Sequence, residues 1–118
     1  MRLAGIDAPE KSQPFGSASK KSLSDQVFGK VVNIESNKKD RYGRFLGRVI
    51  FNGTDVCLEQ IRAGMAWHYK RYSYEQSESL RHSYADAESQ ARQLKIGLWS
   101  EPAPVAPWEF RHQGRGGD

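Results

Sequence analysis

Two kinds of charged side chain in this sequence have the chemistry to act on a phosphate ester. Asp7 and Glu10 lie in the segment DAPE, and Arg2 and Arg44 flank that segment along the chain. A carboxylate can take a proton from an attacking water, and fixed cations can stabilise the charge that develops on phosphate oxygens. Arginine suits the second role because its planar fork donates two parallel hydrogen bonds and keeps its charge. These four residues are therefore candidates for phosphodiester chemistry.

Each candidate also has an ordinary structural interpretation. Asp7 before Ala8-Pro9 could form a turn, and Glu10 could be a solvated acid near the start of a helix. Arg44 and the lysines before it could line a solvated strand edge. Residue types alone leave both interpretations open.

The positive charge of the chain is concentrated in one window. The 118 residues include 18 Lys and Arg and 14 Asp and Glu, which gives a net charge of +4. The window 36–48, SNKKDRYGRFLGR, accounts for the whole excess. Its arginines and Tyr42 could grip phosphates and stack on a base, although charge runs are usually solvated faces. The charge distribution favours an anionic partner without identifying it.

Composition excludes several classes of protein. Hydrophobic residues make up 37% of the chain and charged residues 27%, which is typical of a single globular domain over 1–118. No apolar run approaches the roughly 18 residues that span a bilayer, and the first residues do not have the layout of a signal peptide. We therefore expect no membrane segment, and the compartment stays undetermined. The single Cys57 excludes an internal disulfide and a multi-cysteine metal site.

Apolar spacing and turn residues outline the elements that must position the candidates. In chain order they are a strand over 2–7, a helix over 12–29, strands over 31–34 and 44–51 on either side of the basic loop, a short helix from its Asp55 cap to Gly64, and a long helix over 75–95. The segment 100–118 is rich in proline, and we predict that it is an extended C-terminal tail without a regular helix.

Several blocks of sequence succeed one another in an order typical of a known family. The blocks are RLAGIDAPE, DRYGRFLGRVIFNG, DVCLEQIRAGMAWHY and KIGLWSEP. Together they resemble the staphylococcal nuclease (thermonuclease-like) family over nearly the whole chain. The resemblance implies an α+β fold, a five-stranded Greek-key OB-fold β-barrel with three helices. It also implies calcium-dependent hydrolysis of DNA and RNA that leaves a 3′-phosphate end.

The resemblance implies a role for each matched position. Arg2 and Arg44 match the arginines that hold the scissile phosphate, and Glu10 matches the proposed general base. Asp7 matches a calcium-ligating carboxylate, and Ala8 matches the position that gives calcium a backbone carbonyl. The matches to nucleic-acid contacts are Arg41 and Tyr42 at the neighbouring phosphate and Tyr69 and Tyr72 along the nucleotide base.

One ligand of the family pattern has no match in this sequence. A second calcium-ligating aspartate precedes the position matched by Arg2 in the family, on the first hairpin of the barrel. If this sequence is the entire molecule, we expect a barrel without that hairpin, weak calcium binding and weak or absent catalysis. Exposed strand edges would then favour dimerisation or strand exchange. The alternative is that the sequence is a fragment of a longer nuclease.

The sequence supports two functional hypotheses. The first is a calcium-dependent nuclease that acts on DNA and RNA, preferably single-stranded, through Glu10, Arg2 and Arg44. The second is a non-catalytic OB-type module that binds single-stranded nucleic acid through the basic loop and the tyrosines. A purely structural role in oligomerisation would leave Glu10 and the paired arginines unexplained.

Overall fold

The computed structural model describes residues 2–3, 5–39, 43, 45–70 and 76–116, and within these ranges it leaves out the side chains of 2, 37, 38, 45 and 113–116. The elements in chain order are β1 (Arg2–Leu3), β2 (Ile6–Asp7), α1 (Gly16–Val27), β3 (Asn33–Lys39), β4 (Phe45–Phe51), β5 (Thr54–Asp55), α2 (Val56–Arg62), β6 (Trp67–His68), α3 (Glu78–Gln93), a 3₁₀-helix (Gly97–Ser100) and α4 (Pro107–Gly116). This mixture confirms the predicted α+β class.

In the part of the chain that the structure describes, the strands form two small sheets. In the first, β4 pairs with β1 in parallel and with β3 and β5 in antiparallel fashion. In the second, β2 pairs antiparallel with β6. The predicted strand over 2–7 is thus divided between the two sheets, at a turn that contains Gly5. Among the described residues the strands do not close into a barrel, so the five-stranded OB-fold and its missing hairpin stay predictions.

Local capping explains where two of the predicted helices begin. The Asp55 side chain accepts a hydrogen bond from the Leu58 backbone N–H at 3.1 Å at the start of α2. Ser77 does the same for the Leu80 N–H at 3.2 Å, so α3 begins at Glu78, a little later than predicted. None of the described helices is long and apolar enough to cross a membrane.

The C-terminal segment corrects the prediction of an extended tail over 100–118. Residues Pro107–Gly116 form helix α4, so that prediction is wrong for this part of the tail. Pro107 lies at the first helical position, where an absent N–H costs no hydrogen bond, and no proline comes after it. The first turn is closed by a hydrogen bond from the Phe110 N–H to the Ala106 carbonyl at 2.9 Å. Pro102 and Pro104 therefore precede the helix and Pro107 begins it, so none of them interrupts it.

Among the described residues, most of the buried apolar side chains belong to two clusters. The first cluster is Ile6, Cys57, Ile61, Ala66, Tyr84 and Ala87. The second cluster is Trp67, Ala91, Leu98, Trp99 and Ala106, with Phe15 and Trp108 packed against it. Because Trp108 belongs to α4, the second cluster holds the C-terminal helix against the domain.

Candidate functional site

The carboxylates of Asp7 and Glu10, which we call the acidic pair, meet at one guanidinium group. Arg111 Nη2 lies 2.6 Å from Asp7 Oδ2, and Arg111 Nη1 lies 3.2 Å from Asp7 Oδ1. The same Nη1 lies 2.6 Å from Glu10 Oε1. Arg111 therefore bridges the two acids from a helix about a hundred residues farther along the chain.

Strand β2 fixes the direction of the Asp7 side chain. Asp7 pairs with Trp67 of β6, and Ile6 pairs with His68. Successive side chains on a strand point to opposite faces, and Ile6 is buried in the first core cluster. Asp7 therefore points away from that cluster, toward α4, with its side chain 15% exposed.

Gln13 holds the loop that carries Glu10. The Glu10 backbone N–H donates to Gln13 Oε1 at 2.8 Å, and the Gln13 N–H donates to the Glu10 carbonyl at 2.8 Å. Gln13 Nε2 also donates to the Val105 carbonyl at 2.8 Å, just before α4. A Cβ at Gly16 would lie 2.0 Å from the Glu10 carbonyl oxygen, so glycine is required for this loop to close. The backbone of Glu10 is thus tied to Gln13, just before α1, and through Gln13 to the C-terminal segment.

Helix α4 contacts a third predicted site residue through Trp108. The rings of Trp108 and Tyr69 are stacked, with centroids 5.0 Å apart and an interplanar angle of 8°. Trp108 also meets Trp67 edge to face at 5.4 Å. Because Trp108 and Arg111 are three residues apart, they lie on the same face of α4. That face covers both the acidic pair and one face of the Tyr69 ring.

The two carboxylates stabilise the charged form of Arg111. The hydrogen bond to Asp7 raises the pKa of the guanidinium above its ordinary value, against an opposing effect of partial burial, and Glu10 raises it further. The side chains of Arg111 and Glu10 remain 36% and 37% exposed. The bridge is therefore a charged contact at the surface that small ions in solution can reach.

The structure describes only some of the other predicted site residues. The backbone of Arg2 lies in β1 opposite Leu46 of β4, and Ala8 is exposed after β2. Arg41, Tyr42, Arg44 and Tyr72 lie outside the described residues. The structure brings Asp7 and Glu10 together, and it places Tyr69 against the same helix.

Comparison with known proteins decides the family. A family model described as Staphylococcal nuclease homologue matches residues 1–101, most of the chain. The chain belongs to the staphylococcal nuclease homologue family. The match confirms the resemblance that the sequence blocks indicate. The matched region includes the acidic pair but not α4, which begins at Pro107.

Members of the staphylococcal nuclease homologue family from bacteria and plants align with nearly all of this chain. An "Uncharacterized endonuclease" of Haemophilus influenzae is 44% identical over 113 residues, 96% of this chain and 60% of the relative. "Staphylococcal-like nuclease CAN1" of Arabidopsis thaliana is 38% identical over all of this chain and 35% of the relative. "Micrococcal nuclease" of Shigella flexneri is 37% identical over 98% of this chain and 69% of the relative. The chain thus spans between about a third and about two thirds of these relatives.

The donor atoms near Asp7 suit a hard cation. Asp7 and Glu10 supply carboxylate oxygens and Ala8 a backbone carbonyl, which are the ligand types that calcium prefers. In the part of the chain that the structure describes, no group of three or more His, Cys, Asp and Glu residues could hold a metal ion. The residues present match calcium in ligand type but not in number, so water or phosphate oxygens would have to supply most of its 6 to 8 ligands.

Arg111 is the site residue that sequence reasoning missed. The proline content predicts an extended segment here, and no periodic signal links PWEFR to DAPE. The sequence signal that could have indicated Arg111 is its three-residue spacing from Trp108, because residues three apart share a face when the segment is helical.

Proposed function

We propose that this chain is a nuclease domain that hydrolyses phosphodiester bonds of DNA and RNA in the presence of calcium, with single-stranded substrates preferred. The observation that carries the proposal is the convergence of Asp7 and Glu10, in a chain whose family relatives are named nucleases. Two acids brought together at a partly exposed position are suited to holding a cation and moving a proton. A solvated surface acid would need no such arrangement.

In the proposed reaction Glu10 accepts the proton of the attacking water. Its backbone is fixed by Gln13, while its carboxylate stays partly exposed and can reach a water molecule. A positioned general base of this kind contributes about 10²- to 10⁴-fold to a rate. Glu10 therefore has a fixed backbone and a carboxylate that solvent can reach.

The proposed cation site uses Asp7 and the backbone carbonyl of Ala8. A bound calcium ion would supply positive charge near the phosphate. Asp7 is held by the pairing of β2 with β6, so its carboxylate needs little reordering to bind a cation. Rigid placement lowers the entropic cost of binding.

Arginines and tyrosines complete the proposed substrate site. Arg2 and Arg44 hold the scissile phosphate, and their bidentate hydrogen bonds would stabilise the negative charge that develops on its equatorial oxygens. The pairing of β1 with β4 brings the backbone of Arg2 beside Leu46, two residues from Arg44 along the chain. Arg41 and Tyr42 bind the neighbouring phosphate, and Tyr69 and Tyr72 line the base.

The test is a nuclease assay on single-stranded DNA and RNA, with calcium or with a chelator, for the wild type and Glu10→Gln. We expect calcium-dependent cleavage by the wild type and a loss of at least about a hundredfold in Glu10→Gln, because the general base is removed. Glu78→Gln, an exposed acid in the first turn of α3, is the matched control and should cleave normally. If the wild type leaves both substrates intact at millimolar calcium, the proposal fails for this chain.

A second candidate function is supported by the bridge itself. Arg111 offsets one of the two negative charges of the acidic pair and hydrogen-bonds to both carboxylates without a cation, as expected in a module that binds single-stranded nucleic acid and does not cleave it. That module predicts salt-sensitive binding that is independent of calcium. Fluorescence anisotropy with labelled single-stranded DNA, with and without calcium, separates it from the nuclease.

A further inference from the structure

Arg111 occupies the carboxylate oxygens that a cation would need. Its two terminal nitrogens contact both Asp7 oxygens and Glu10 Oε1, at 2.6 to 3.2 Å. The Asp7 oxygens are the carboxylate ligands of the proposed calcium site, and Glu10 Oε1 belongs to the proposed general base beside it. A cation that binds Asp7 must therefore share these oxygens with the guanidinium or displace it.

Helix α4 and the two residues before it are held by contacts that do not involve Arg111. Trp108 stacks on Tyr69 and meets Trp67 edge to face, and Ala106 is buried in the second core cluster. Gln13 adds a hydrogen bond to the Val105 carbonyl. The Arg111 side chain can therefore leave the acidic pair while the helix stays docked, which makes the bridge an exchangeable contact.

Two opposing effects set the influence of Arg111 on cation binding. The guanidinium orders Asp7 and Glu10 toward each other, which would favour a cation that uses both. It also places a positive charge at the position that a dication must approach. Asp7 and the Glu10 backbone are already fixed by β6 and Gln13, so ordering adds little, whereas the repulsion acts on a double charge at close range. The repulsion should dominate.

We propose that Arg111 is an internal competitor for the divalent cation at the acidic pair, so that α4 weakens cation binding and a bound cation releases Arg111. The inference rests on the proposed cation site at Asp7. It goes beyond that proposal because it assigns a function to α4, which lies outside the matched family region. Cation concentration would then control whether the acidic pair is closed by Arg111 or open to substrate.

The test is calorimetric titration of the whole chain with calcium chloride alone, without nucleic acid, at fixed pH and low ionic strength. We expect Arg111→Gln to bind calcium about tenfold more tightly than the wild type, because a positive charge is removed from the site. Arg111→Lys keeps the charge and should bind nearly as the wild type does. Arg62→Gln is the matched control for net charge, since Arg62 lies on α2 and pairs with Glu59, and it should leave the affinity unchanged.

A second measurement guards against misfolding of the variants. Circular dichroism and tryptophan fluorescence should show that Arg111→Gln keeps its helices and the packing of Trp108. If well-folded Arg111→Gln binds calcium as the wild type does or more weakly, the inference is overturned and Arg111 does not compete.

Asp7→Asn tests the proposed cation site separately: it should abolish calcium binding with Arg111 present or replaced. If Asp7→Asn binds calcium normally, the cation site at Asp7 is wrong. If neither the wild type nor Arg111→Gln binds calcium, both proposals fail.

Discussion

Burial suppresses the reactivity of two side chains in the first core cluster. The Cys57 thiol is inaccessible to solvent, and burial raises its pKa to about 11, although a hydrogen bond with the Val49 backbone acts in the opposite direction. Burial also raises the pKa of Tyr84, and its hydrogen bond to Asp55 adds to this effect. Both groups stay protonated at neutral pH. They are structural, and neither is available as a base or nucleophile for the proposed reaction.

The thiol of Cys57 should be almost unreactive in the folded protein. A raised pKa lowers the thiolate fraction at pH 8, relative to an ordinary cysteine, by about a hundredfold. We expect Ellman's reagent at pH 8 to label native protein slowly and protein unfolded in guanidinium at once. Rapid and complete labelling of the native protein would show that Cys57 is accessible and would contradict its place in the core.

At the scale of elements, Asp55 joins α2, α3 and β4. One carboxylate oxygen caps α2 through the Leu58 N–H, and the other accepts the Tyr84 hydroxyl of α3 at 2.6 Å. Arg48 of β4 also donates to that second oxygen, at 3.3 Å from its Nε. The side chain of Asp55 is only 8% exposed, so these partners substitute for water.

Replacing Asp55 should therefore destabilise more than a helix cap alone. Asp55→Ala removes the cap, at about 1 kcal/mol, and leaves the buried Tyr84 hydroxyl without an acceptor, at about 1–3 kcal/mol. We expect the free energy of unfolding in urea to fall by about 2–4 kcal/mol. In a Tyr84→Phe background the same change should cost less, because no orphaned hydroxyl is created. Equal costs in both backgrounds would show that the Tyr84 bond contributes nothing.

At the scale of the whole molecule, two glycines bring the loop after α2 against the 3₁₀-helix. Gly64 has φ +70°, and a Cβ there would lie 2.2 Å from the Ile96 carbonyl oxygen. Gly97 has φ +57°, and its Cβ would lie 2.4 Å from the Gly64 carbonyl oxygen. The Leu98 N–H donates to the Gly64 carbonyl at 2.8 Å. This close backbone contact positions Leu98 and Trp99 in the second core cluster.

Gly64→Ala should be strongly destabilising because it combines a left-handed backbone with a collision against fixed backbone atoms. We expect thermal unfolding to show a loss of about 3 kcal/mol or more. Gly53→Ala is the matched control: Gly53 has φ +76° but open space around its Cβ position, so it carries only the backbone cost of about 1 kcal/mol. Similar losses for the two variants would show that the loop moves aside.

Local sequence was sufficient for several elements of this fold. The spacing of Leu80, Tyr84 and Ala87 predicts α3, and the Asp55 cap predicts α2, because both signals act within a few residues. The prediction of an extended tail is wrong over Pro107–Gly116, because proline content disfavours a helix interior but not a helix that begins at a proline. Proline marks a boundary, and the residues after it decide whether a helix forms there.

The sequence by itself determined the family and the residue types of the candidate site, because these are carried by short blocks such as DAPE and by their order. Only the tertiary structure decided that Asp7 and Glu10 meet at Arg111, 104 and 101 residues away along the chain. No local pattern encodes such a contact, since it depends on how β2, Gln13 and α4 pack together. The physical reason is that periodicity reports on near neighbours, whereas the site is made by packing between distant segments.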